Sequence, residues 1–354
     1  MLLLDFIKEH SNWEKLLTSS PYNLKIQREN KYILFKYNQF NSDFNEPIVR
    51  EARGCIFDKN TWKCVCRPFD KFGNYGESYV PEIDWKSARV QEKIDGSLIK
   101  LWYDKDWHVS TNGAITAEPK YLCCFIKAVS KYISFSDLLL ILNPECTYMF
   151  ELVSPLLPIV IQYPETDVYF IGKRHNSTGQ EYDIDFSILS DYFKTPKEYP
   201  LKSLNDTINA AKALPWDKEG YVVVDNNYNR IKVKSTEWIK AHYLLNNNCL
   251  STRRCIDIIL AGEQEEFLTY AAPELAEKFT KILNKIQTIK KIVEACQKDA
   301  IRQRFDFKLN KKQFSEYVQG KYKKQYWIVL YRAYDNKPFY PDRKFFLHFF
   351  QGDE

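Results

Sequence analysis

Hydrophobic positions fall into three regimes along the chain. Leu3, Phe6, Ile7, Trp13, Leu16 and Leu17 recur at helical spacing and predict a helix over residues 1–20, ended by Pro21. Residues 22–233 then read mainly as short β-rich runs broken by turns. Residues 54–58 and 62–66 flank Lys59-Asn60, and residues 98–103 and 107–110 flank Asp104-Lys105-Asp106, which are two hairpin patterns. Residues 32–37, 149–153, 168–173, 220–224 and 230–234 are further short strands, and residues 119–142 read as helices. Strand signals stop near His242. Pro273 suits the first turn of a helix. Beyond it Phe279, Ile282, Leu283, Ile286, Ile289, Ile292, Val293 and Cys296 form one amphipathic stripe. Further helices run to about Ala333, and the last twenty residues, rich in Phe and Tyr, carry no clear period. The pattern predicts an α+β domain over residues 1–242 and a smaller all-α domain over residues 243–354.

Composition changes this picture little. Of 354 residues, 45% are hydrophobic and 27% charged, enough for a sizeable core. The net charge of +5 does not by itself require a polyanion partner. Its distribution says more: residues 285–324 hold twelve Lys/Arg against four Asp/Glu, suited to phosphate backbones or to a solvated helix face. Nine Cys, Cys249 among them, form no paired CxxC spacing, which argues for free thiols in a reducing compartment. His10, His108, His175, His242 and His348 have no metal-ligand spacing. The N-terminus lacks a signal-peptide pattern, and the longest aliphatic run, residues 138–142, is far too short to span a membrane. A soluble intracellular protein is expected.

The candidate chemistry begins with Glu92-Lys93-Ile94-Asp95-Gly96, a lysine at a strand end followed by a tight turn. An amine is a nucleophile only when deprotonated, which burial and neighbouring cations favour. Alone, the motif also fits an ordinary surface turn. Glu219-Gly220-Tyr221-Val222 opens a strand with an acid. Ile231-Lys232-Val233-Lys234 returns with both lysines on one face, as strand alternation requires. Two like charges on one face of an apolar strand suit an anion. Phe150-Glu151-Leu152 places an acid within an apolar strand. Each has a bland alternative in a solvated edge or a salt bridge, but order and spacing tie them together.

In that order the segments resemble motifs I (92–96), III (150–152), IIIa (168–172), IV (219–222) and V (231–234) of the covalent nucleotidyltransferases. Those are the DNA ligases, RNA ligases and mRNA-capping guanylyltransferases. Ala52-Arg53-Gly54-Cys55-Ile56-Phe57-Asp58 and Arg67-Pro68-Phe69-Asp70-Lys71-Phe72-Gly73-Asn74 resemble more narrowly the RNA ligase 1 family, typified by the T-even phage enzyme that repairs tRNA. Residues 34–38, 151–155, 159–163 and 238–242 resemble it too. Three positions depart from the family: Gly73 stands for a second Phe, Leu157-Pro158 for Asn-Arg, and Thr111-Asn112-Gly113-Ala114 for a segment with a lysine.

The resemblance implies an ATP-grasp-like nucleotidyltransferase domain of antiparallel sheets with flanking helices, then a helical tail that holds RNA. It implies that Lys93 attacks the α-phosphate of ATP, that AMP passes to an RNA 5′-phosphate, and that a 3′-hydroxyl then displaces AMP. Lys232 and Lys234 would neutralise the α-phosphate. Arg53 and Lys71 would hold the other phosphates, and Tyr37 would stand at that end. Glu151 would meet the ribose, Tyr169 the adenine, and the Glu92 backbone the adenine edge. Glu219 would hold Mg²⁺, for which Mn²⁺ could substitute. Partners would be RNA, such as a tRNA broken in its anticodon loop, and an end-healing kinase/phosphatase. The alternatives are a GTP-dependent capping enzyme, disfavoured by the helical tail where an OB-fold would follow, and an inactive RNA-binding relative.

Overall fold

The structure, a computed structural model, describes residues 1–184, 187–244, 251–271 and 273–350. The chain divides into two compact units, Met1–Leu245 and Asn246–Glu354. Cys249 and the side chain of His242 lie outside the described residues.

The strands of the larger unit are, in chain order, β1 (Lys25–Glu29), β2 (Tyr32–Lys36), β3 (Arg53–Asp58), β4 (Cys64–Cys66), β5 (Arg89–Glu92), β6 (Ser97–Asp104), β7 (Asp106–Thr111), β8 (Cys146–Val153), β9 (Asp167–His175), β10 (Glu181–Tyr182), β11 (Glu198–Tyr199), β12 (Gly220–Val224) and β13 (Arg230–Lys234). They form three antiparallel sheets of order β1-β2-β3-β4, β10-β9-β8-β6-β7 and β11-β5-β12-β13.

The first sheet is covered on both faces. Ile33, Phe35, Cys55 and Phe57 pack under the N-terminal helices, while Leu34, Ile56 and Cys66 meet Trp102 of the second sheet. A strand buried on both faces loses polar alternation, which is why β2 reads as a continuous apolar run. The opposite face of the second sheet, with Ile99, Leu101, Phe150 and Phe170, packs on the helix Pro119–Val129. Each such fully buried side chain contributes about 1.5–3 kcal/mol.

The expected single N-terminal helix is two, Leu2–Glu9 and Trp13–Leu17, because His10 adopts an extended conformation with φ −122°. The helix Leu204–Lys212, capped by the Ser203 hydroxyl accepting from the Asp206 N–H, packs Ala211 against Tyr221 and Val223.

The smaller unit is helical among its described residues. Its long helix Pro273–Phe305 buries Phe279, Ile282, Ile286, Ile289, Val293 and Cys296, whereas Ile292 of the stripe is 38% exposed. The aromatic tail holds a helix, Arg343–Leu347, whose Phe345 and Phe346 are buried.

One glycine fixes the geometry of the third sheet. Gly220 has φ +137°, and a Cβ there would lie 2.3 Å from Val233 O and 2.7 Å from Lys234 Cα. Gly220→Ala therefore combines backbone strain with a backbone clash. It should lower stability by about 1–3 kcal/mol in a urea titration. An unchanged midpoint would contradict the steric account.

Candidate active site

The turn at Lys93 is built by three neighbours. Glu92 pairs with Tyr221, and the Lys93 N–H donates to Gly220 O at 2.9 Å, which sets Lys93 beside Glu219. Asp95 is buried, and its carboxylate accepts the N–H groups of Val160 at 3.0 Å and Ile161 at 2.8 Å. Gly96 lets the turn approach β8: a Cβ there would lie 2.7 Å from Leu152 O and 2.9 Å from Glu151 Cγ. Asp95 and Gly96 thus each have a local structural duty, and Ile94 is buried beside them. The result is Lys93 Nζ 2.6 Å from Glu219 Oε2, with the Glu219 side chain 5% and that of Lys93 20% exposed.

Cations gather around this pair. Arg230, Lys232 and Lys234 alternate onto one face of β13. Burial, then the positive charges of Lys71, Lys93, Lys234 and Arg53, push the Lys232 ammonium well below the usual lysine range. The Phe72 ring has Lys232 Nζ at 5.0 Å and the Arg53 guanidinium at 5.2 Å. Phe72 is held there because the next residues run beside β13: Lys232 donates to Gly73 O, and Tyr75 donates to Lys232 O. Lys71 Nζ lies among three rings, 5.6 Å from Tyr37, 4.6 Å from Phe44 and 5.6 Å from Tyr79. Lys234 lies 5.2 Å from the Trp238 ring.

A cleft of about 320 Å³ opens beside Lys93 and Lys232, with Glu219 and Lys234 outside its lining residues. Arg53, Glu92, Lys93, Glu151 and Lys232 line it, and Phe69, Phe72, Ile171, Val222, Val224 and Arg230 complete much of its wall. Its apolar wall suits a flat ring and its cationic wall suits phosphates. Tyr37 and Lys71 adjoin one another outside the lining residues. Tyr169 also lies outside them; it pairs with Glu151 across β8 and β9, its ring 5.9 Å from Lys194 Nζ, while Ile171 lines the cleft.

The sequence reading missed Arg230, Phe72 and Asn112 as site residues. Arg230 was signalled by its place two residues before Lys232. Phe72 lay inside a quoted segment with no sign of its charge neighbours. Asn112, within the segment 111–114 where the resembled family carries a lysine, lines the cleft. Beside it the fully buried Lys100 donates from Nζ to Gly54 O at 2.6 Å, and both residues crowd Gly54, whose φ is +82°. The departure at Gly73 has a steric reason: a Cβ there would lie 2.4 Å from Glu77 Oε2 and 2.6 Å from Val80 Cγ1.

Burial pushes the Glu151 carboxyl up to about 7; Lys93 and Arg53 pull it down, and Glu219 and Asp95 push it up. Well below its ordinary value of 4.5, folded and unfolded chains are both protonated and stability is unaffected. As pH rises the unfolded chain ionises first, so stability is lost through this window and stays lost above about 7. Glu151→Gln should therefore raise the melting temperature relative to wild type at about pH 8, with the gain fading towards about pH 4.5. A pH-independent difference would contradict the assigned charge environment.

Known proteins give this geometry a family. An archaeal ATP-dependent RNA ligase of known structure shares the fold, with a TM-score of 0.50, 11% identity, and 83% of this chain and 82% of that chain covered. A protein of Autographa californica nuclear polyhedrosis virus, provisionally named a bifunctional polynucleotide kinase/RNA ligase, is 29% identical over 76% of this chain. The RNA ligase of Rhodothermus phage RM378 is 29% identical over 40% of this chain, and RNA ligase 1 of bacteriophage TS2126 is 29% identical over 38%. The chain spans 41% of the viral relative's length, 40% of the first phage relative's and 37% of the second's. The sequence profile of the RNA ligase family, T4 ligase 1 type, matches residues 51–239. The chain belongs to the RNA ligase family of the T4 ligase 1 type.

Proposed function

We propose that the chain is an ATP-dependent RNA ligase that joins 5′-phosphate and 3′-hydroxyl RNA ends through lysyl-AMP and RNA-adenylate intermediates. The observation that carries this reading is Lys93 Nζ against Glu219 in a cleft walled by Arg53 and Lys232. The adenine lies along the apolar wall of Ile171, Val222 and Val224, near the Glu92 backbone and with Tyr169 behind. Glu151 meets the ribose. Lys93 as free amine attacks the α-phosphorus; the N–P bond forms, the bond to the β-phosphate oxygen breaks, and pyrophosphate leaves. Lys232 and Lys234 stabilise the charge that spreads over the α-phosphate oxygens. Arg53 and Lys71, with Tyr37 against the Lys71 ammonium, hold the β- and γ-phosphates and later the RNA phosphate. An RNA 5′-phosphate oxygen then takes AMP from Lys93, and a 3′-hydroxyl displaces AMP from that end to form the phosphodiester.

The donor set fits a hard divalent cation. Among the described residues no group of three or more His, Cys, Asp or Glu could cage a metal ion. The Glu219 carboxylate is close enough to Glu151 to raise the proton affinity of Glu151. One or two carboxylates completed by nucleotide phosphate oxygens suit Mg²⁺, with Mn²⁺ as a substitute. Such an ion would add neutralising charge at the phosphates.

RNA is the polynucleotide substrate in this reading, held by the helical unit; a tRNA broken in its anticodon loop is one form of it. The viral relative's name joins polynucleotide kinase to RNA ligase, which supports an end-healing partner that supplies 5′-phosphates. Among the described residues no helix is long and apolar enough to cross a membrane.

Incubation with α-phosphate-labelled nucleotide tests the first step. Wild type should take label from ATP and not from GTP, and Lys93→Ala should take none. Lys232→Ala should slow labelling on the order of 100-fold. Labelling from GTP alone would favour the capping reading, and absence of any label with Mg²⁺ or Mn²⁺ would favour an inactive RNA-binding relative.

A further inference from the structure

The long helix of the smaller unit ends by leaving large apolar side chains in water. Ile301 is 46%, Phe305 59% and Phe307 54% exposed, although earlier residues of the same helix turn their apolar side chains inward. The rings stand on a defined turn. The N–H groups of Asp306 and Phe307 donate to Arg302 O at 2.9 and 3.3 Å, Lys308 reverses the chain with φ +53°, and Leu309 donates to Gln303 O at 3.1 Å. Asn310 then opens the helix Lys311–Lys321 with a capping box.

Each ring carries an arginine. The Arg302 guanidinium is 5.2 Å from the Phe307 ring, and that of Arg304 is 5.2 Å from the Phe305 ring. Arg304 also donates to Tyr334 O. Residues 301–312 hold five cations, Arg302, Arg304, Lys308, Lys311 and Lys312, against one acid, Asp306. The negative end of the helix dipole accounts for arginines in its last turn. It does not account for two large rings left in solvent two residues apart. Lys311 is paired with Asp335 at 3.0 Å, but an apolar protein partner that covered the rings would still have to desolvate the arginines that stand against them, Arg302 and Arg304. A single strand of nucleic acid satisfies both features, since its phosphates meet the cations and its bases offer flat faces to rings and guanidinium planes.

We propose that Phe305 and Phe307, flanked by Arg302, Arg304 and Lys308, form a stacking platform for unpaired bases of the RNA being joined. This rests on the RNA-joining reading above and adds the surface, and the strand form, that the helical unit recognises.

The test uses the full chain with Phe305→Ala, Phe307→Ala, the double variant and Phe305→Trp. Binding of fluorescently labelled 5′-phosphorylated single-stranded RNA is measured beside labelling of the protein by ATP alone, a step that involves no RNA. The double alanine variant should bind the single strand tenfold or more weakly, as loss of one or two stacked bases implies. Its labelling by ATP should match wild type, Phe305→Trp should retain affinity, and fully paired RNA of equal length should show little loss. Unchanged single-strand affinity in the double variant overturns the platform. So does a loss of equal size for paired RNA, or a loss confined to vesicles of anionic phospholipid, which would assign the patch to a lipid surface. Failure of the underlying ligase reading is separate, because it appears as wild-type protein that takes no label from ATP.

Discussion

The contact between Lys93 and Glu219 depends on backbone pairing before it depends on charge. The Lys93 N–H is bonded to Gly220 O, so the lysine and the acid are neighbours across β5 and β12 whatever their side chains do. Gly220 permits the close crossing to β13, and β13 then carries Lys232 and Lys234 to the same place. Three short strands therefore bring Lys93, Glu219, Lys232 and Lys234 close together. Several positive charges stand near Lys232 with the carboxylates of Glu219 and Glu151 to offset them. A phosphate chain that enters this cleft meets charge that folding has already concentrated, which is the preorganisation that phosphoryl-group chemistry requires.

Much of this was legible in the sequence because the motifs are strand ends and strand faces. Two-residue alternation places Lys232 beside Lys234 without any structure, and the same rule also reaches Arg230. The hairpins around residues 59–60 and 104–106 were legible for the same reason. What escaped were features set by tertiary contact. The strand β1 carries polar residues on a partly exposed edge, the helix Leu204–Lys212 has few apolar residues, and the tail helix Arg343–Leu347 is too short to show a period. The rings around Lys71 come from residues 37, 44 and 79, which no local pattern links.

Departures from the resembled family acquire physical meanings once the neighbours are known. A side chain at Gly73 would have to displace the side chains of Glu77, Val80 and Tyr79. The segment 111–114 lacks the family's positive charge, yet beside Asn112 a buried ammonium, that of Lys100, stands on the same side of Gly54. A position that departs in sequence is thus not vacant in packing. The two units divide their physics in a related way. The larger concentrates charge inside a cleft between strands, and the smaller displays charge and aromatic rings on a surface.

The central claim is that Lys93 becomes covalently bonded to AMP. Peptide mapping by mass spectrometry of wild-type protein, after reaction with ATP and Mg²⁺ in the absence of RNA, tests it most directly. The account predicts one added AMP, located on Lys93, which disappears when pyrophosphate is supplied. An unmodified protein, or AMP carried by another lysine such as Lys71, Lys100 or Lys232, would contradict it.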